Sequence, residues 1–216
     1  MYHFDKRCKR AVLKKFATPN SSLDDDVVLN VLYLLHELQA NAIFNIVDPL
    51  VTHSLNKQEK TCAVVKKLLH DTESDIEIIL MPLVLQKHWS LLVFVRPFSV
   101  YLHLDSLQGY HRAYANRLLT LLDEERRYSP MAMHHNQAVS QQASDWECGY
   151  FVLMNAFMFI HMKRDSLASE DALRFYLARH VRSVSEKNIR CFARKIYDIV
   201  VSLEEPPPPS PSITTD

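Results

Sequence analysis

Glycine is nearly absent from this 216-residue chain, with only two copies, so the place of each is informative. Cysteine is sparse as well. Cys8, Cys62, Cys148 and Cys191 form no CxxC pair and have no histidine at metal-ligand spacing, which excludes a disulfide framework and a zinc site. Neither sign of charge is in excess: 25 basic and 25 acidic residues cancel, leaving no overall field to attract nucleic acid or an anionic membrane. No apolar run approaches the roughly eighteen residues of a membrane span, and residues 1–15 are charged where a secretion signal would be apolar. The expectation is a soluble intracellular monomer that works without nucleic acid, membrane, metal or cofactor.

What is present is an ordinary globular composition, 48% hydrophobic and 23% charged, in a chain long enough to bury a substantial core. Residues 1–203 read as one domain. Residues 204–216 carry four consecutive prolines at 206–209 and no apolar periodicity, and read as an extended, mobile tail. Helical patterns are predicted over 23–38, after serines suited to capping and with Asp24, Asp25 and Asp26 at the positive end of the helix dipole, and over 57–70, with Cys62 on the apolar side. The runs 75–85, 89–95 and 100–105 are rich in Ile, Leu, Val and Phe and predict consecutive antiparallel strands, with a turn over 96–99. A helix over 111–125, a short strand near 128–134, a nearly all-apolar helix over 149–161 and two flanking helices over 169–179 and 185–203 complete the pattern.

The run Gln141-Gln142-Ala143-Ser144-Asp145-Trp146-Glu147-Cys148-Gly149-Tyr150-Phe151-Val152 sets a cysteine beside one of the two glycines at the mouth of that apolar helix. A helix N-terminus and a nearby imidazole together activate a thiol, and a residue without a side chain lets the backbone beside it approach a reacting carbonyl. Taken alone, such a cysteine is more often structural. The partners come from elsewhere. His88 lies between two strand-like runs, where a strand end can present its ring, and Asp105 ends the next strand, where a carboxylate can hold the other ring nitrogen. Gln142, six residues before Cys148, can donate its amide to the oxyanion formed when a thiolate attacks a carbonyl. Base, orienter, oxyanion donor and nucleophile thus occur at the ends of predicted elements.

On His88-Trp89, on Leu104-Asp105-Ser106 and on Gln141-Gln142 through Glu147-Cys148-Gly149-Tyr150-Phe151-Val152, the chain resembles the ubiquitin-like-protein-specific proteases, the Ulp and sentrin-specific enzymes. The resemblance covers about 23–161. It implies an α+β, papain-like cysteine protease fold, with a central antiparallel or mixed sheet flanked by helices. It further implies Cys148 as nucleophile, His88 as base and then acid, Asp105 as orienter and Gln142 as oxyanion donor. Trp89 would wall the narrow channel for a modifier's Gly-Gly tail, beside Gly149. The implied partners are SUMO first, the neddylation modifier next and ubiquitin third, making the protein a deSUMOylating or deneddylating peptidase. The chain departs from the family pattern at Ser22-Leu23-Asp24-Asp25, where Trp-Leu-Asn-Asp is usual and the tryptophan lids the channel. Glu147 and Trp146 stand where aspartate and tyrosine are usual.

Two other readings compete with hydrolysis. One is acyl transfer, as in bacterial effectors on the related scaffold, which act after secretion into a host cell. The other is a modifier-binding module that has lost turnover, for which the absent tryptophan speaks and the intact Cys-His-Asp set speaks against.

Overall fold

Two runs of almost uninterrupted apolar residues, IILMPLVL and HWSLLVFV, form the centre of the molecule as strands β2 (Ile78–Leu85) and β3 (His88–Val95). Strands buried on both faces need no polar alternation, which is why both runs are continuous. A computed structural model describes residue 4 and residues 6–39, 43–55, 75–123, 132–135, 139–180 and 185–203. The predicted helix over 57–70, with Cys62, and the proline-rich segment over 204–216 lie outside the described residues.

The sheet has five strands in the order β1-β2-β3-β4-β5, with β1 (Phe44–Ile46), β4 (Val100–Leu104) and β5 (Ala132–His135) completing it. β2, β3 and β4 are antiparallel, as predicted. The outer strands make the sheet mixed, one of the two expected forms: β1 runs parallel to β2, and β5 parallel to β4. Pro82 sits inside β2, although a central strand normally excludes proline. Its carbonyl accepts from the Thr52 hydroxyl at 2.7 Å, so its missing N–H lies on that same side, beyond the last β1 partner, Leu80.

Helices cover both faces. α2 (Asp25–Glu37), α5 (Cys148–Ile160) and α7 (Glu186–Ser202) bury their apolar sides with Trp89, Leu91, Val93 and Val95 of β3. The opposite face, with Leu92 and Phe94, packs Tyr114, Ala115, Leu118 and Leu122 of α4 (Arg112–Asp123). The strand period of two thus sends neighbouring residues of β3 into two separate cores. α3 (Pro49–Leu55) and α6 (Glu170–His180) are shorter peripheral helices. The charged N-terminal run folds as α1 (Lys6–Ala17), which sequence patterning did not single out. It packs on α7, with Lys9 Nζ donating to the Leu203 carbonyl at 2.6 Å.

The helix caps refine the sequence expectations. α2 is capped by Asp24, whose carboxylate accepts from Val27 N–H at 3.0 Å, and not by the serines before it. Ser185 does cap α7, accepting from Asn188 N–H. α5 starts at Cys148 itself, one residue before the predicted start. Among the described residues, no helix is long and apolar enough to cross a membrane.

Candidate active site

The β2–β3 hairpin closes through Gln86 and Lys87, both with positive φ, 50° and 64°. Two left-handed residues in a two-residue turn match the right-handed strand twist, at a steric cost for non-glycine residues. This tight turn makes His88 the first residue of β3. Asp105 follows β4 directly, so the strand pairing brings the two side chains to one end of the sheet. His88 Nε2 and Asp105 Oδ1 lie 2.7 Å apart, and both side chains are buried.

The Asp105 carboxylate is fully partnered. Oδ1 also accepts from Leu107 N–H at 3.0 Å, and Oδ2 accepts from His111 N–H at 2.9 Å. Burial alone would raise its pKa, but the His88 hydrogen bond and those two N–H groups outweigh it and hold the carboxyl below its usual range. Burial would likewise lower the pKa of His88. Hydrogen bonds and charge from Asp105 and Cys148 prevail and push it up to about 9. With Nε2 taken by Asp105, Nδ1 is the nitrogen left to exchange a proton with Cys148.

Cys148 enters from the opposite layer as the first residue of α5, at the positive end of the helix. Its Sγ lies 3.9 Å from the carbonyls of Lys87 and Asp145, so the thiol touches the hairpin turn as well as its own loop. An imidazolium that persists to about pH 9, set against a thiol at a helix N-terminus, is the setting in which thiolates form and attack carbonyls. Among the described residues, no group of three or more His, Cys, Asp or Glu is placed to hold a metal ion.

Gln142 sits in the loop before α5 and is joined to the strand end. Its backbone N–H donates to the Ser106 carbonyl at 2.9 Å, and its Oε1 accepts from the Ser106 hydroxyl at 2.8 Å. Its Nε2 donates to the Ser144 carbonyl at 3.0 Å. Trp89 follows His88 but points into the larger core, where its indole N–H donates to the Leu23 carbonyl at 3.1 Å. Gly149 has a packing reason beyond any approach of substrate. A Cβ there would lie 2.9 Å from Leu23 Cβ, so the residue leaves room for the segment ahead of α2 to cross the start of α5.

Three residues at this end of the fold were given no hydrogen-bonding role by the sequence. Ser106 was visible only as part of Leu104-Asp105-Ser106. Glu147, 2% exposed, turns its Oε2 back on the loop and accepts from the N–H groups of Ala143 and Ser144, at 2.7 and 3.0 Å. His111 stands edge-on to His88 with ring centroids 4.7 Å apart. The Leu85 carbonyl can only accept, so His111 Nε2 carries the hydrogen, and Nδ1 accepts from Ser90 Oγ at 2.9 Å. Burial, reinforced by the His88 charge, lowers the pKa of His111 to about 4, so it stays neutral beside the charged His88. No periodicity marks these three residues, because each acts through a loop that folds back.

Comparison with known proteins agrees with this geometry. A family model described as the Ulp1 protease family, C-terminal catalytic domain, matches residues 22–186. A search of curated sequences finds no match. Among solved structures, the SUMO protease Ulp1 with its catalytic cysteine oxidised to a sulfenic acid superposes with a TM-score of 0.62 at 15% identity, over 93% of this chain and 96% of that one. The Ulp1 protease domain in complex with Smt3, the yeast ortholog of SUMO, gives 0.61 at 16% identity, over 91% and 95%. The Xanthomonas campestris effector XopD bound to ubiquitin gives 0.57 at 20% identity, over 81% and 91%. At such identities these likenesses establish the fold, which is α+β and papain-like.

Proposed function

Starting from a chain that belongs to the Ulp1 protease family and is a cysteine peptidase domain, we propose that it cleaves after the C-terminal Gly-Gly of a ubiquitin-like modifier. SUMO is the first candidate, the neddylation modifier the second and ubiquitin the third. The observation that carries this reading is the buried Cys148–His88–Asp105 arrangement at the meeting of sheet end and helix N-terminus. Similarity to a domain solved with Smt3 and to an effector solved with ubiquitin supports the substrate class.

In this mechanism the Cys148 thiolate attacks the carbonyl of the terminal glycine. The negative charge that develops on oxygen is met by the Gln142 side-chain N–H and by backbone N–H groups at the start of α5. His88, charged at neutral pH, gives its Nδ1 proton to the departing amine, and Asp105 keeps the ring oriented throughout. The neutral imidazole then takes a proton from water, which attacks the thioester, frees the modifier and restores the thiolate beside a charged His88. Trp89, beneath Leu23, supports the wall along which a side-chain-free tail passes.

The test is a panel of SUMO, the neddylation modifier and ubiquitin, each bearing a C-terminal electrophile. Cys148 should be labelled, fastest by the SUMO probe, and labelling should vanish in Cys148→Ala. If no probe modifies Cys148 in protein shown to be folded, this reading is lost.

A further inference from the structure

We infer that Ser106 is a positioning residue that holds the oxygen end of the Gln142 side-chain amide, and thereby aims the oxyanion donor. This rests on the proposed function in one respect, that Gln142 serves the oxyanion.

The two ends of a glutamine amide have nearly the same size and opposite hydrogen-bonding character, and rotation about the terminal bond exchanges them. Turned one way, Gln142 offers an N–H to a developing oxyanion. Turned the other way, it offers an oxygen that repels the same charge. Something must tell the two apart. A carbonyl, which can only accept, does so at the nitrogen end, and Ser106, 2% exposed, holds the oxygen end, its hydroxyl donating to Gln142 Oε1 at 2.8 Å. On the other side Nε2 gives one hydrogen to the Ser144 carbonyl at 3.0 Å. That carbonyl also receives Glu147 N–H, and the next carbonyl along, of Asp145, is the one beside Cys148 Sγ. The amide is therefore held at both ends within the loop that wraps the nucleophile. Its second N–H has no acceptor among the described residues.

The backbone of Ser106 contributes as well. Its carbonyl accepts Gln142 N–H at 2.9 Å, and Gln141 Nε2 donates to the Asp105 carbonyl at 3.4 Å, so the loop is attached to the end of β4 at successive residues. These backbone contacts survive a change of the serine side chain. Ser106→Ala therefore removes the hydroxyl that holds the amide oxygen and leaves the attachment in place.

The experiment compares wild type, Ser106→Ala, Ser106→Thr, Gln142→Ala and the Ser106→Ala/Gln142→Ala pair, each confirmed folded by thermal melting. A hydrogen bond of ordinary net strength gives an expected drop in kcat of about tenfold for Ser106→Ala, with KM little changed. Gln142→Ala should lose about a hundredfold or more, and adding Ser106→Ala to it should cost nothing further. Ser106→Thr, which keeps the hydroxyl, should stay within about threefold of wild type. Alkylation of Cys148 by iodoacetamide creates no oxyanion, so its rate should be the same in all five proteins. Equal losses in alkylation and turnover, or multiplicative effects in the double variant, would overturn the inference.

If wild type is alkylated at Cys148 but processes no modifier, the proposed function fails by itself. The Ser106 inference is then read from the Gln142 side-chain NH2 signals in NMR, which should shift and exchange faster in Ser106→Ala. Unchanged signals would end it.

Discussion

The two halves of the site are built by different means. His88 and Asp105 stand on β3 and at the end of β4, joined by strand pairing and 17 residues apart, next to a two-residue turn that leaves no slack. Gln142 and the approach to Cys148 belong to a segment, residues 139–147, with no strand or helix of its own. That segment is shaped by side chains: Glu147 gathers the N–H groups of Ala143 and Ser144, Ser106 takes Gln142, and Gln141 donates to the Val139 and Asp105 carbonyls. The strand half is fixed by topology, which a single substitution leaves intact. The loop half is fixed by individual hydrogen bonds, each of which a substitution can remove.

The sharpest way to test this contrast is to change chemistry in the strand half without moving it. Asp105→Asn keeps the shape but loses the charge, and turnover should fall by about 10²–10⁴-fold, the range for a disabled proton-transfer partner. The pH profile should report the cause. A group whose pKa is raised by its folded partners stays protonated in the fold until pH climbs through the raised value, and its stabilisation, full below the ordinary pKa, is lost between the two values. Wild-type kcat/KM is therefore expected to decline as pH passes about 9, while folded-state stability weakens progressively between about pH 6.5 and about pH 9. In Asp105→Asn the alkaline limb should move to lower pH. A limb that stays put would mean that Asp105 does not hold the charge on His88.

The loop half should respond in stability as well as rate. Glu147→Ala leaves two N–H groups of Ala143 and Ser144 without their acceptor, and a loss of about 2 kcal/mol is expected in denaturant titration. Amide exchange at Ala143 and Ser144 should quicken, while that of β3 and β4 should track only the global change. If the strands loosened as much as the loop, the two halves would be one unit.

The smallest effect is expected at the turn. Replacing Gln86-Lys87 by Asn-Gly supplies the residues that favour a double left-handed turn, and Tm should rise by about 2–4 °C. Turnover should be unchanged to within about twofold, because His88 is already held by its pairing with Leu85 and by Asp105. A large change in rate would show that turn strain, and not strand pairing, places the imidazole.

This contrast also explains what could be read from the sequence. β2, β3, β4, α4 and α5 were legible because apolar continuity and periodicity are local, and His88 and Asp105 were legible because they mark strand ends. β1 has three residues and α3 has seven, too short for a period to show, and each exists because β2 offers it an edge or a face. α1 carries few apolar residues among its lysines and arginines, so its buried Val12 and the Phe16 ring set against Tyr150 gave little signal. Gln142 stood out through its spacing from Cys148. Ser106, Glu147 and His111 did not, because hydrogen bonds across a folded loop have no sequence period. The Trp89 side chain followed the strand alternation away from His88 and into the larger core, a direction that adjacency in the motif does not reveal.

Asp105 and Ser106 are neighbours on one peptide, and each holds a different working group: the first the imidazole, the second the glutamine amide. In mechanical terms, the two share a mount. Sway of the β4 end carries both in the same direction, so imidazole and glutamine amide keep their mutual alignment while the sheet breathes. What remains to vary is a single gap, between the end of the sheet and the first turn of α5. Alignment of a four-part site is thereby reduced to one tolerance, set by how firmly α5 seats on β3.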